Sequence, residues 1–140
     1  MTTEDRPGGT VEPRDLVVQA LYEADQREDA DPRPDLPSKA ARLLRGVLAH
    51  LDELDREIDA VSEHWRVPRM PVVDRAILRL GLYELRYEPE TPPAVVVAEA
   101  VRLAKLFSTE RSGAFVNGVL AALAEISRTE GLAAGTASDS

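Results

Sequence analysis

Apolar residues recur at steps of three and four from about residue 13 to 127, the spacing of one helix face. Pro13 suits a first helical position, where a missing N–H costs nothing. Leu16, Val17, Ala20, Leu21 and Ala24 then give a helix over about 13–26 its apolar side. The stretch REDADPRPDLP, residues 27–37, has three prolines and four acids and predicts an exposed connector. Ser38 is the expected cap of the next helix. Leu44, Val47, Leu51, Leu54, Ile58 and Val61 form one seam, which predicts a single helix, with room for a kink, across about 39–64. Pro68 and Pro71 bracket a break. The segment 71–88 is apolar nearly all round, the pattern of a helix at the centre of its domain. Pro89, Pro92 and Pro93 end it. In 94–107 a β-branched VVV suggests a strand, but Val96, Ala100, Leu103 and Phe107 continue at helical spacing and decide for helix. Five helical segments predict an all-α domain over 13–127. Residues 1–12 and 128–140 are small and polar and predict a disordered N-terminus and a flexible tail.

The last helix, about 112–127, contains Asn117-Gly118. Between alternating residues that pair would signal a hairpin. Here Phe115, Val119, Ala122 and Ile126 run through it at i, i+4, i+7 and i+11, so a helix is expected. Glycine inside a helix costs about 1 kcal/mol against alanine. Close approach by another helix or a ligand backbone at Gly118 is the expected compensation.

A chain of 140 residues can bury a real core in one domain. It has no cysteine, which excludes a disulfide scaffold and a thiolate metal site. The start MTTEDRPGGTVEPRD has no apolar run, so no signal peptide is expected, and no stretch approaches a membrane span. A cytoplasmic protein is the expectation. The net charge of −8 argues against unaided capture of nucleic acid. Charge is uneven, however: residues 1–37 carry 10 acids and 4 bases, while 65–88 carry 5 arginines against 3 acids.

Catalytic chemistry has little to stand on. His50 and His64, 14 residues apart, would lie about 21 Å apart on one helix, too far to share an ion. No phosphate-binding loop, nucleophile elbow or dinucleotide fingerprint occurs. No cofactor, metal or small-molecule substrate is expected. Arg75, Arg79 and Arg86 line one side of the central helix, with Arg66 and Arg69 just before it. They fit either intramolecular ion pairs or a phosphate surface. Tyr22 and Phe115 fit either a core or an edge offered to unstacked bases.

The ordered set "QALYEAD" (19–25), "VDRAILRLGLYEL" (73–85), "VVVAEAVRLAKLFSTE" (95–110) and "AFVNGVL" (114–120) resembles the NusB family of bacterial antitermination factors. Trp65 ahead of the arginine helix fits as well. The resemblance implies two small helix bundles packed together and no catalysis. It implies pairing with NusE, a small-subunit ribosomal protein, and joint binding of single-stranded boxA RNA within the RNA polymerase antitermination complex. By the same resemblance Tyr22 and Phe115 match RNA-associated positions, with Asn117 at the same edge and Arg14 and Arg75 as phosphate contacts. Asn117 equally suits a helix-to-helix hydrogen bond. Asp74, Glu84 and Glu99 match acidic positions on the surface that resembles the NusE-docking face, where they would steer a basic partner.

This chain departs from the family pattern in three places. An arginine-rich lead into the first helix is replaced by GGTVEPRD, and Ala98 and Ala114 stand where Asn and a basic residue are usual. Arg111, in the loop before the last helix, restores one charge. RNA binding weaker and more partner-dependent than the family's is therefore expected. The alternative is a protein-only adaptor that keeps NusE and has lost RNA. An enzyme remnant lacks the Gly-rich loop it needs, and a helix-turn-helix reader needs a more basic exposed helix than 71–88.

Overall fold

The computed structural model describes residues 12–27, 36–63 and 65–139, with side chains described as far as residue 130. The expected disorder at 1–11, most of the connector after residue 27, and His64 lie outside the described residues. The described residues form six α-helices and one 3-10 turn, without a strand. These are α1 (Pro13–Arg27), α2 (Ser38–Ala49), α3 (Leu51–Val61), the turn Val67–Arg69, α4 (Val72–Tyr87), α5 (Pro93–Phe107) and α6 (Glu110–Asp139). No described helix is long and apolar enough to cross a membrane.

Helices α1–α3 make one small bundle and α4–α6 a second, and α4 touches all five others. That position follows from its composition. Ala76, Ile77, Leu78, Leu80, Leu82 and Tyr83 are all buried, so α4 faces neighbours on nearly every side. One continuous core runs from Val17 and Leu21 through Leu54, Ile58 and Leu80 to Leu120 and Leu123.

Three expectations are corrected. The helix across 39–64 is two helices, broken at His50, which ends α2 and opens α3 with φ −118° and ψ 18°. Its ring stacks on Tyr87 with centroids 4.4 Å apart, and its Nδ1 lies 3.2 Å from Glu53 Oε1. The spacing of the seam is the same on both sides of that residue, so periodicity does not register the break. Ser38 begins α2 without capping it; Pro37 holds that position and no side chain bonds there. In α6 the buried stripe is Val116, Val119, Leu120 and Leu123, while Ala122 and Ile126 are exposed. The backbone of α6 is helical as far as Asp139.

The glycines divide by what surrounds them. A Cβ on Gly46 would fall 2.2 Å from the Tyr83 hydroxyl, and one on Gly81 would fall 2.7 Å from Leu120. These two let α2 and α6 close on α4. Gly118 has nothing within 4 Å of such a Cβ, so no neighbouring helix requires it.

Candidate nucleic-acid and partner interface

The arginine row of α4 is spent inside the molecule. Arg79 donates from Nε and Nη2 to Asp55 of α3, at 2.8 and 2.7 Å. Arg86 bonds Glu57 of α3 and, at 2.7 Å, Glu130 of α6. Arg75 donates to Asp25 at the end of α1 at 2.8 Å and reaches the Val67 and Pro68 carbonyls at 3.3 and 3.4 Å. Such forked pairs fix helix against helix. The phosphate reading of Arg75 therefore meets a guanidinium already committed to α1. Arg14 is committed as well: its Nε and Nη2 each donate to Glu84 at 2.8 Å. The Glu84 carboxylate above all, with smaller help from Glu99 and Glu12, holds the Arg14 guanidinium above its ordinary pKa against the opposing effect of burial.

The three acids expected on a docking face are placed differently. Glu84 is 3% exposed and belongs to Arg14. Glu99 stands on α5 at the surface's edge and is bonded by Arg102, which also holds Asp15 of α1 at 2.8 Å. Asp74 is 1% exposed and lines a groove of about 850 Å3.

That groove lies where α5 turns into α6. Its walls include Trp65, Asp74, Thr109, Arg111 and Phe115. Thr109 precedes α6 and its hydroxyl accepts the Ser112 N–H at 3.0 Å, the bond of an N-cap side chain. Ser108 and Ser112 hydroxyls lie 2.9 Å apart, and Thr109 donates to Ser112 at 3.2 Å. Neither oxygen of Asp74 meets a donor in hydrogen-bond geometry. Burial raises the pKa of Asp74, and the nearby Ser112 and Ser108 hydroxyls offset part of that rise. Trp65, 40% exposed, meets Phe115 edge-on with centroids 5.1 Å apart. Arg111 is exposed and forms no ion pair among the described residues.

A second hollow, about 400 Å3, is lined by Val18, Gln19, Tyr22, Glu23, Val73 and Phe107. It flanks the first, since Val73 precedes Asp74 on α4 and Phe107 precedes Ser108. Tyr22 is 42% exposed there. Tyr22, Phe115 and Asn117 thus present themselves at the surface, Asn117 from the outer face of α6. Its side chain has no hydrogen-bond partner among the described residues, so the helix-to-helix bond is not formed. The sequence reading noted Trp65 only as a feature of the resemblance, not as a site residue, and did not single out the hydroxyl cluster. The Thr-x-x-Ser spacing of 109–112 was the available signal for the cluster.

Among the described residues no group of three His, Asp or Glu side chains could hold a metal ion. An all-helical body that pairs the arginines of its central helix internally and opens two flanking aromatic hollows is built as a binding module. The sequence matches the NusB family over residues 11–125. It is 49% identical to the transcription antitermination protein NusB of Acidothermus cellulolyticus, over 79% of this chain and 83% of that one. It is 42% identical to the protein of that name from Myxococcus xanthus, over 79% and 76%. The structure resembles Thermotoga maritima NusB, with TM-score 0.73, 34% identity, and 83% and 92% of the two chains covered. It also resembles a chain from a crystal structure of antitermination factors NusB and NusE in complex with dsRNA, with TM-score 0.71, 29% identity, and 81% and 94% covered. The chain belongs to the NusB family.

Proposed function

We propose that this chain is a transcription antitermination factor, a non-catalytic adaptor that pairs with NusE and holds boxA RNA so that RNA polymerase resists termination, notably in ribosomal RNA transcription. The observation that carries the reading is the pair of exposed aromatics, Tyr22 and Trp65, the latter edge-on to a half-buried Phe115, on either side of the α4 N-terminus in a NusB-family chain. Exposed aromatic faces accept unstacked bases of any identity. The outer face of α5, where exposed Val95, Ala98 and Leu106 surround the Glu99–Arg102 pair, is a mixed apolar and charged surface suited to a protein partner. That face is the proposed seat of NusE, and the cytoplasm is the proposed setting.

RNA binding depends on NusE in this reading, because Arg14 and Arg75 already hold acids. The same observation favours the second reading, a protein-only adaptor. Fluorescence anisotropy with labelled boxA RNA separates the two. Binding that tightens when NusE is added, and falls steeply with salt, supports the first. A NusE complex indifferent to RNA supports the second. Absence of a NusE complex in dilute salt refutes both.

A further inference from the structure

A strand laid on the exposed aromatics brings phosphates with it, yet Arg14, Arg75, Arg79 and Arg86 already hold carboxylates. Cations left free elsewhere are then the ones available. Lys39, Arg45 and Arg56 are exposed on α2 and α3 but line neither aromatic hollow. Arg111 does line the larger one, and Arg66 and Arg69 lie beside its Trp65 and Pro71 in the chain. Arg69 forms no ion pair among the described residues. Arg66 has a loose one, 3.7 Å from Asp59, and its side chain stays 70% exposed.

The segment that carries Trp65, Arg66 and Arg69 is tied inward through its backbone. The Ser62 hydroxyl donates to the Trp65 carbonyl at 2.7 Å, and the Val67 N–H to Asp59 Oδ1 at 2.7 Å. Arg75 reaches the Val67 and Pro68 carbonyls, and the Val67 and Met70 side chains are buried. What remains outward is an aromatic ring between guanidinium groups. Trp65 meets Phe115 and keeps the rest of its ring open. A base stacks on such a ring, and a forked guanidinium grips the phosphate beside it. Because the segment is already fixed, little ordering entropy is lost when a strand arrives. Of the acids nearby at the surface, Asp59 is shared by Arg66 and the Val67 N–H, and Glu110 faces Lys105. Glu63 is left against three arginines.

We infer that the segment Trp65–Arg69 is a preformed landing point for the RNA strand, with a base stacked on Trp65 and the adjoining phosphates on Arg66 and Arg69. The inference rests on the RNA-binding reading above and names where this chain meets the phosphates that Arg14 and Arg75 do not.

Trp65 is the only tryptophan of the chain, so its fluorescence reports on the segment without any substitution. The full chain with NusE is titrated with boxA RNA, and the Trp65→Phe complex supplies the background. The expected result is quenching of Trp65 emission that saturates at the same RNA concentration as the anisotropy change. Arg66→Gln and Arg69→Gln, both at exposed positions, are each expected to lower the slope of log affinity against log salt by about 0.7, one phosphate on a single strand. Arg45→Gln makes the same change in net charge away from both hollows and is expected to leave the slope as it is. Unchanged emission at saturating RNA, or arginine variants whose slopes equal that of Arg45→Gln, overturns the inference while RNA binding stands. Loss of the NusE complex in either arginine variant makes the segment a protein contact and overturns it as well. Failure of the natural complex to bind boxA RNA removes the RNA-binding reading and this inference together.

Discussion

Arg14 at the start of α1 and Glu84 in the middle of α4 grip each other through two parallel hydrogen bonds of 2.8 Å, 70 residues apart in sequence. The pair joins the first bundle to the second. Arg102 and Glu99 extend it to α5, so three helices meet at one charged node. Removing Arg14 strands a buried carboxylate. Arg14→Ala is expected to lower stability by about 2–4 kcal/mol in urea unfolding, somewhat under the loss for a fully buried pair. The double replacement Arg14→Met with Glu84→Leu should recover most of it, because it leaves no orphaned charge.

Asp74 makes stability depend on pH in the opposite sense to most acids. Its folded pKa is raised, chiefly by burial. The folded chain therefore holds this proton more tightly than the unfolded chain does. Its contribution is most favourable below the ordinary carboxylate range and is lost as pH rises through the raised value. Asp74→Asn, which removes the charge that burial disfavours, is expected to raise stability at pH 7. The gain should shrink as pH falls through the raised value and vanish below the ordinary carboxylate range. Thermal unfolding of both proteins at several pH values checks this.

Two glycines should respond oppositely to alanine. Gly118→Ala meets open space in a helix and is expected to stabilise by about 0.4–1 kcal/mol. Gly46→Ala drives a methyl group into Tyr83, whose ring is held by His50 and Tyr87, and should cost about 1–3 kcal/mol. Denaturant melts of the two variants give the comparison directly. A stabilised Gly46→Ala would mean that α2 and α4 are less tightly set than described.

Tyr22→Ala and Phe115→Ala are expected to weaken RNA binding by the NusE complex by about 1–3 kcal/mol each, the value of one stacked base. Folding should survive at Tyr22, which is already exposed. Arg111→Ala should lower the slope of log affinity against log salt by about 0.7, one phosphate contact on a single strand. Anisotropy titrations across a salt series measure both effects.

Periodicity carried the helices and the central place of α4, because burial on every side leaves a composition that a sequence displays. It missed the break at His50, since the residues flanking it stay in phase and the ring that His50 stacks on belongs to a tyrosine 37 positions away. It put the α6 stripe one position off, because Phe115 and Val116 are both apolar and only packing tells which points inward. The arginine row stood out, but its partners on α1, α3 and α6 are long-range contacts that no local pattern encodes. The acids were the hardest. Asp74, Glu84 and Glu99 look alike in sequence, yet the structure buries the first beside the Ser108 and Ser112 hydroxyls, ties the second to Arg14 and leaves the third at the surface beside Arg102.

The inward placement of Arg14, Arg75, Arg79 and Arg86 has a consequence for encounter kinetics. A polyanion drifting toward this molecule meets a long-range field set by a surplus of carboxylates, not by its guanidinium groups. Diffusional capture from bulk solution is then slow. Productive contact instead demands a high effective concentration, such as a nascent strand and this protein gain when both are moored to one elongating machine.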